Sequence, residues 1–370
     1  MNPDEIIDKF YTETLENIDS SFLNTKTSKK VEFVCRCITN RSPIRFLLSC
    51  LIAKIHKSEI DIRKPYTEIG GNDTYSGRFY DERYIERFAA KYKLPCNTTT
   101  AFLTPAFRNI DRLLTPDLVL VGKPRQVYVN TLELIDKVFR KEILPEDLAK
   151  EILRFLIVIK NENEERMNML IADLRHSDDI LPLSSDQILI LLQQHLNCKN
   201  SSRLPVLMVS SAYLSVSDKT GETILPLKSH NAADKQTGAL GDVEVTLVND
   251  ENIVTTYEMK DKKVTITDMN NILNKISNFK GKIDNYIFIT TDIIDDEVSD
   301  YAKELYNQIG IEIAILDCLG FVKHFLHFFH RQRLKFLNIY QDLVINEPNS
   351  SVSQPLKESF LILRKTAESE

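Results

Sequence analysis

Apolar residues recur at helical spacing through the first half of the chain and at alternate positions in the second half. Residues 43–57 (PIRFLLSCLIAKIHK) predict a strongly apolar helix that begins with a proline, a residue suited to a first helical turn. Residues 131–195 continue the helical spacing, and Pro145 with Asp147 indicates that a new helix starts there. The pattern therefore predicts a mostly helical region over residues 1–200.

Three stretches depend on local signals rather than on a long periodic pattern. Residues 117–121 and 126–130 predict two strands of a β-hairpin, joined by a turn that contains a glycine. Asp81 predicts the N-terminal cap of a helix over residues 82–91. Residues 203–217 are apolar enough for either a buried helix or a buried strand, and periodicity alone does not separate the two.

Strict alternation begins near residue 243 and predicts a different architecture. Residues 243–248 (VEVTLV) and 252–260 (NIVTTYEMK) are rich in β-branched and aromatic residues and flank a polar turn, so they predict a β-hairpin. The elements predicted after it are a helix, a strand, a helix and a strand, over residues 268–279, 286–290, 295–309 and 311–316. This order predicts an α/β core within residues 201–345 and a polar C-terminal tail over 346–370.

The hairpin carries acidic and basic side chains on one face. Side chains alternate along a strand, so Asp242 and Glu244 share a face, as do Glu258 and Lys260, while Met259 points to the other side. If the strands pair, three carboxylates and one ammonium group converge. Carboxylate oxygens are ligands that Mg²⁺ prefers, and bound Mg²⁺ activates water and neutralises charge on a phosphate. The spacing is that of the PD-(D/E)xK nucleases, although exposed strands also carry Glu-x-Lys as a solvated pair.

Composition limits the classes of protein that fit the chain. Its 370 residues suffice for two domains, and a hydrophobic content of 43% supports a sizeable core. No apolar run approaches the roughly 20 residues that span a bilayer, so we expect no membrane partner. Six scattered cysteines without a C-x-x-C pair predict reduced thiols and a cytoplasmic location. The net charge of -6 argues against a non-specific nucleic-acid coat but is compatible with a locally positive cleft.

Several longer runs carry a family likeness. They are HNAADKQTGALGDVEVTL and YEMK around the hairpin, NYIFITT and IAILDCLGFVKHFLHFFHRQR after it, and TYSGRFYDERYIERF and LPCNTTTAFLTPAFRN in the helical region. From about residue 30 to residue 365, the chain resembles the SacI-type family of type II restriction endonucleases. The superfamily pattern often has a proline before the first acid, whereas this chain has Gly241.

The resemblance implies a PD-(D/E)xK restriction-endonuclease-like core and a role for each hairpin residue. Asp242 and Glu258 would ligate Mg²⁺, with the Met259 carbonyl as a further oxygen ligand. Lys260 would position the attacking water and stabilise charge in the transition state. Glu244 is either a second-metal ligand, a salt-bridge partner or an exposed strand residue.

Two questions about the chemistry stay open at this stage. Asp234 also precedes the Glu-x-Lys strand, so it remains an alternative first acid, although Asp242 lies on the strand expected to pair. His324, His327 and His330 recur every three residues and suggest a transition-metal site. Successive histidines rotate round a helix, however, so aromatic packing is the favoured interpretation.

Residues that contact DNA are predicted from side-chain chemistry. Arg and Lys favour guanine and Asn and Gln favour adenine, so Arg78 and Asn97, in polar loops, are candidates for reading bases. Lys262, Arg331 and Arg333 are candidates for phosphate contact. The alternative is that the loops only shape turns and that the basic residues form solvated faces.

The resemblance therefore implies a type II restriction endonuclease that hydrolyses double-stranded DNA at a short palindrome with Mg²⁺, in restriction–modification defence. A palindromic site implies a homodimer, and residues 132–195 are its candidate surface. The alternatives are a PD-(D/E)xK nuclease that acts on DNA structure or damage, a catalytically silent DNA-binding protein, and a scaffold whose Glu-x-Lys is a surface pair.

Overall fold

The structure is a computed structural model that describes residues 2–97, 99–175, 182–227, 240–249, 252–279 and 283–369. The chain forms two compact units, Met1–Arg166 and Met167–Glu370. The sequence pattern predicts a division near residue 200, whereas the units divide 34 residues earlier. The helix that follows, over residues 185–196, therefore packs with the second unit.

The first unit is built from helices, as the apolar spacing predicts. They are α1 Pro3–Glu16, α2 Thr25–Cys35, α3 Ser42–His56, α4 Gly77–Tyr80, α5 Glu86–Lys91, α6 Arg125–Phe139 and α7 Pro145–Arg175, of which the residues from Met167 on are assigned to the second unit. Helix α3 is buried all round from Ser42 to Ala53, which is the expected environment for a helix without a polar face. Phe46 of this helix stacks on Phe107, with ring centroids 4.0 Å apart.

The predicted hairpin near residue 122 is wrong, because its second strand is the start of α6. Val127, Thr131, Leu134 and Val138 are all buried, and their spacing is that of one helical face. The β-branched residues of this segment suggested a strand locally. Burial of the helical face against the rest of the unit overrides that preference.

The predicted cap at Asp81 is also wrong. Ser76 provides the side-chain cap at the start of α4, and Asp81 lies inside a π-helical turn, Asp81–Ile85, that joins α4 to α5. The Asp81 carboxylate is fully buried and accepts a hydrogen bond from Arg45 Nε at 2.8 Å and another from Thr100 Oγ1 at 2.8 Å. A buried carboxylate needs such partners, and a local capping signal cannot reveal them.

The second unit combines seven described helices with a five-stranded sheet. The helices are α8 Ser185–Leu196, α9 Leu204–Thr220, α10 Ile266–Asn278, α11 Asp296–Ile309, α12 Cys318–Phe328, α13 Arg333–Asn346 and α14 Gln354–Ser369. The strands are β1 Glu222–Ile224, β2 Val243–Leu247, β3 Ile253–Lys260, β4 Asn285–Thr290 and β5 Glu312–Asp317. The predicted hairpin and the four elements after it are confirmed. Of residues 203–217, left open between helix and strand, residues 204–217 belong to α9, and Arg203 is its N-cap residue. Strand β1 was not predicted.

The strands lie side by side in the order β1-β2-β3-β4-β5. The first three pair antiparallel, and β3, β4 and β5 pair parallel. In this register Lys260 lies beside Thr290, and Thr290 lies beside Asp317. The carboxyl ends of three parallel strands and the start of β2 therefore share one edge of the sheet.

Helices cover both faces of the sheet. Tyr257 and Ile287 pack on the face covered by α9, α12 and α13, whereas Tyr286 and Phe288 pack on the face covered by α10 and α11. Strand β4 is buried on both faces, as expected for a central parallel strand. The second unit is thus a three-layer α/β arrangement.

The cysteines and the apolar helices are the subject of two predictions from composition. All six cysteines are free thiols, and Cys35, Cys50 and Cys318 are buried. In the ranges that the structure describes, no helix combines the length and the apolar character needed to cross a bilayer.

Candidate active site

The start of β2 and the end of β3 bring the predicted acids together. Val243 lies opposite Tyr257, so Asp242, one residue earlier, lies opposite Glu258. The backbone N–H of Asp242 donates to the Tyr257 carbonyl at 2.8 Å, and its Oδ2 atom accepts from the Met259 N–H at 2.8 Å. The hairpin therefore holds the Asp242 carboxylate at the carboxyl edge of the sheet.

Gly241 is required by this close approach. A Cβ atom at this position would lie 2.6 Å from the Tyr257 carbonyl oxygen and 2.6 Å from Thr256 Cγ2. Real Cβ atoms do not come so close to backbone, so any side chain, including a proline ring, would push the strands apart. The departure from the superfamily pattern thus has a local steric reason.

Glu258 is a mostly buried acid with several partners. Its Oε1 lies 3.5 Å from Lys260 Nζ, and its Oε2 lies 3.7 Å from Lys275 Nζ of α10. The hydroxyl of Tyr286 donates to Oε2 at 3.2 Å. Burial raises the pKa of the Glu258 carboxyl, and the nearby charge of Asp242 raises it further, against the effect of the two lysines. The charge of Asp242 therefore acts on Glu258, as expected for two acids that lie opposite each other in the hairpin.

Lys260 is held between two acids. Its Nζ atom lies 3.5 Å from Glu258 Oε1 and 3.2 Å from Asp268 Oδ1. Partial burial lowers the pKa of Lys260, but the charges of Glu258 and Asp268 outweigh burial, so the pKa lies above its ordinary value of 10.5. Lys260 is therefore a cation throughout the neutral range.

Glu244 lies deeper in the sheet than the other acids. The side chain is 6% exposed, and its Oε1 accepts the backbone N–H of Leu240 at 2.8 Å. The interpretation of Glu244 as an exposed strand residue is therefore wrong. The hydrogen bond orders the chain just before Asp242, and a metal-binding role for Glu244 stays a prediction.

Asp242 and Lys260 line a cleft of about 860 Å³, whereas the more buried Glu258 lies behind its surface. One wall consists of Asp242, Met259, Lys260 and Asp261, together with Thr291 and Asp317 from the neighbouring strand ends. The opposite wall is the end of α8 and the loop before α9, with the polar side chains Gln193, Asn197, Asn200, Ser201 and Ser202. Polar and charged side chains thus make up most of the lining, and Leu196, Pro205, Val206, Cys318 and Leu319 add apolar surface.

The oxygen donors at this edge fit a hard divalent cation. Asp242 and Glu258 supply carboxylates and Met259 supplies a carbonyl, which suits Mg²⁺, an ion that takes one or two protein carboxylates and keeps several waters. Across the described part of the chain, no three His, Cys, Asp or Glu side chains group closely enough to form a metal site by themselves. A dedicated all-protein cage, such as a structural zinc site, is therefore not part of the described fold.

Residues 184–291 match the family model described as the SacI restriction endonuclease C-terminal domain. This region of the second unit is therefore similar to the C-terminal domain of SacI-type restriction endonucleases. Among the curated proteins compared, none matches the chain. The resemblance predicted from the sequence is confirmed over residues 184–291, and this family implies a nuclease that binds DNA.

The matched SacI-type region contains the hairpin and most of the residues that line the cleft, whereas Asp317, Cys318 and Leu319 lie beyond its end. It begins at the start of α8, runs through β2 and β3, and ends just after β4. Asp242, Glu258 and Lys260 all lie within it. Asp234 also lies within it but outside the described residues, so the choice of first acid is not tested at that position.

Three of the predicted DNA contacts lie in the second unit. Lys262 is exposed just beyond β3, and Arg331 is exposed after α12. Arg333 instead donates from Nε to the Leu183 carbonyl at 2.9 Å, so part of its guanidinium joins two segments of the unit. His324 stacks on Phe328, with ring centroids 5.9 Å apart, which fits the aromatic interpretation.

The other two predicted contacts, Arg78 and Asn97, belong to the first unit. Arg78 is exposed and pairs with Glu82, 2.7 Å from Nε to Oε1. Asn97 Nδ2 donates to the carbonyl and hydroxyl oxygens of Thr99, both at 3.1 Å. The backbone carbonyl of Asn97 accepts a hydrogen bond from the Arg45 guanidinium. These contacts shape the loop of Asn97, and DNA contact by either residue stays a prediction.

Sequence reasoning missed Asp268, Lys275 and Tyr286, the partners of the Glu-x-Lys pair. A signal exists for Asp268, because Thr265-x-x-Asp268 is a capping box at the start of α10. Lys275 follows Asp268 by two helical turns, so both residues lie on the same side of α10. The spacing alone could not show that this side faces β3.

Proposed function

We propose that this protein is a type II restriction endonuclease that hydrolyses double-stranded DNA at a short palindromic sequence with Mg²⁺. The observation that carries the proposal is Asp242 opposite Glu258, with Lys260 Nζ 3.5 Å from Glu258, at the carboxyl edge of the sheet in a SacI-type domain. The order hairpin, helix, strand, helix, strand also fits the PD-(D/E)xK core predicted from the sequence. The supporting features are therefore local chemistry, topology and family.

The acids would bind the ion, and the ion would in turn supply a polarised water and positive charge at the phosphate. Asp242 and Glu258 supply carboxylate oxygens, and Met259 supplies its carbonyl. The hydrogen bond from the Met259 N–H fixes one oxygen of Asp242, which leaves the other directed away from that bond. The hairpin thus prepares the donor set before DNA arrives.

Lys260 would act as a fixed positive charge rather than as a general base. Its pKa lies above 10.5, so it holds its proton at neutral pH and can donate hydrogen bonds to the attacking water and to a phosphate oxygen. Water attacks phosphorus and the P–O3′ bond breaks, so the 3′ oxygen leaves and takes up a proton. The products are a 5′-phosphate and a 3′-hydroxyl.

The polar wall opposite the acids suits a DNA backbone. Amide and hydroxyl side chains such as Asn197, Asn200 and Ser201 hydrogen-bond phosphate and sugar oxygens without adding charge. Lys262 and Arg331, which are exposed on the same unit, would add positive charge for contact with phosphates. A palindromic site further requires two copies related by two-fold symmetry, so we propose a homodimer that acts in the cytoplasm as part of a restriction–modification pair.

The experiment is digestion of a long DNA of known sequence with the purified protein and Mg²⁺, followed by mapping of the fragment ends. We expect discrete fragments with 5′-phosphate ends, and we expect none when a chelator is added. Fragments that end at one palindromic sequence support the type II assignment. Cuts placed by junctions, mismatches or lesions would favour the structure-specific nuclease, and salt-sensitive binding without any cut would favour the silent DNA-binding protein.

A further inference from the structure

The helix after the Glu-x-Lys strand supplies an acid to the candidate active site. Asp268, in the first turn of α10, places Oδ1 3.2 Å from Lys260 Nζ. This distance is slightly shorter than the 3.5 Å between Lys260 and Glu258. Asp268 therefore lies closer to the ammonium group than Glu258 does, although Asp268 is not part of the Glu-x-Lys motif.

Asp268 is itself held in place. Its other oxygen, Oδ2, accepts the Thr265 N–H at 3.0 Å and the Thr265 hydroxyl at 2.7 Å. Thr265 in turn accepts the Asp268 N–H at 3.2 Å, which completes the capping box. One oxygen of Asp268 thus anchors the carboxylate to the start of the helix, and the other faces Lys260.

A lysine needs such a partner to be held in one position. Its charge sits at the end of a flexible four-carbon stem, and fixing that stem costs rotamer entropy. A misplacement of about 1 Å in a reacting group can reduce the rate about 100-fold. Glu258 alone would be a poor anchor, because its oxygens are also needed for the ion.

We propose that Asp268 is a positioning residue that holds Lys260 at the attacking water and leaves Glu258 available to the metal. This inference rests on the proposed nuclease function for its effect on rate, whereas the contact itself can be tested separately. Asp268 would touch neither DNA nor the ion, and it acts only through Lys260. Its removal should therefore lower the rate of the cleavage step and leave DNA affinity unchanged.

The test compares Asp268→Asn with wild type in single-turnover cleavage of a mapped DNA site. Asn keeps an oxygen that can accept from Thr265 but loses the negative charge that faces Lys260. We expect the cleavage rate to fall about 10- to 100-fold, with the KM and the DNA dissociation constant changed less than about three-fold. Asp268→Glu, which restores the charge, should recover part of the rate.

Two controls separate positioning from helix capping. Glu5 occupies the same N3 position in the capping box of α1, where it accepts the Asn2 N–H, so Glu5→Gln removes an equivalent charge from another helix. We expect this variant to cleave at the wild-type rate. In a Lys260→Ala background, Asp268→Asn should cause no further loss, because its action passes through the missing lysine.

A direct probe of the contact does not depend on cleavage. The lysines are labelled by reductive ¹³C-methylation, and the resonance missing from Lys260→Ala assigns Lys260. Asp268→Asn should shift this resonance, and Glu5→Gln should leave it in place. An unshifted resonance together with a wild-type cleavage rate for Asp268→Asn would overturn the inference. If the wild type never cuts DNA but Asp268→Asn still shifts the Lys260 resonance, the nuclease proposal falls and the contact between Asp268 and Lys260 stands.

Discussion

The Oδ2 atom of Asp242 accepts a hydrogen bond from the backbone N–H of Met259 at 2.8 Å, so the first acid is tied to the strand that carries the second. Gly241 makes this contact possible, because a Cβ atom there would meet the Tyr257 carbonyl oxygen at 2.6 Å. The distance between the two acids thus depends on a residue that has no side chain.

Gly241→Ala should therefore reduce cleavage more than it reduces stability. The added methyl group would push β2 from β3 and move Asp242, so we expect at least a 10-fold lower cleavage rate and weaker Mg²⁺ binding at saturating DNA. The matched variant is Gly310→Ala, where φ is +69° and a Cβ atom meets nothing within 4 Å. It should lower the free energy of unfolding by about 1 kcal/mol through backbone strain and leave cleavage unchanged. Equal cleavage by both variants would contradict the role given to Gly241.

As the pH falls, the affinity for Mg²⁺ should be lost at a higher pH than it would be if the glutamate ligand had an ordinary pKa. The Glu258 carboxyl binds a cation only when ionised, and burial raises its pKa above 4.5. As the pH falls through that raised pKa, the carboxyl takes up a proton and the site loses a ligand. Calorimetric titration with Mg²⁺ from pH 8 to pH 4 should place the midpoint of the loss of affinity above pH 4.5. A midpoint at or below pH 4.5 would argue against Glu258 as a ligand.

The second unit should lose stability in acid because of His195. This side chain is fully buried, and its Nε2 lies 3.0 Å from the Leu356 carbonyl, which can only accept, so Nε2 carries the proton and Nδ1 accepts from the Tyr340 hydroxyl at 2.9 Å. Burial lowers the pKa of His195 to about 4, against 6.5 ordinarily. The unfolded chain therefore binds a proton first, and stability is lost as the pH falls from 6.5 towards 4.

The pKa difference corresponds to about 3 kcal/mol at pH 4 and to no loss above pH 7. Urea unfolding of the wild type across this range should show the decline, and His195→Gln should show a flatter dependence on pH from a lower starting stability. If the free energy of unfolding fell equally with pH in the wild type and in His195→Gln, the decline would belong to titratable groups other than His195.

Lys262 should contribute to DNA affinity through phosphate contact, whereas its neighbour should contribute less. Lys262 is exposed beyond β3, and Lys263 pairs with Asp295 at 2.9 Å. Lys262→Ala should reduce the dependence of log affinity on log salt by about one unit, because one fewer counterion is released. Lys263→Ala is the matched control, with a smaller change in slope. Identical slopes in the two variants would remove Lys262 from the interface.

The sequence predicts those parts of the fold whose signals are local. Alternation over 243–248 and 252–260 predicts the paired strands, and the period of two places Glu258 and Lys260 on one face. The strand predicted near residue 126 fails because β-branched residues also fit a buried helical face when packing demands it. The cap predicted at Asp81 fails because the partner of its carboxylate, Arg45, is distant in sequence.

The partners of the site depend on tertiary structure. A capping box is visible at Thr265 and Asp268, but nothing in the sequence says that the box faces Lys260. The same holds for Lys275 and Tyr286, which reach Glu258 only after α10 and β4 pack beside β3. Chemistry within one hairpin is readable from spacing, whereas chemistry shared between elements requires the fold.

The central claim is that Asp242, Glu258 and Lys260 together cut DNA. The most direct measurement is single-turnover cleavage of a mapped DNA site with Mg²⁺ by wild type, Lys260→Ala and Lys303→Ala, the last an exposed lysine that pairs with Asp300 on α11. We predict that Lys260→Ala loses at least 100-fold in rate while it still binds DNA, and that Lys303→Ala cleaves like wild type. Undiminished cleavage by Lys260→Ala would contradict the account.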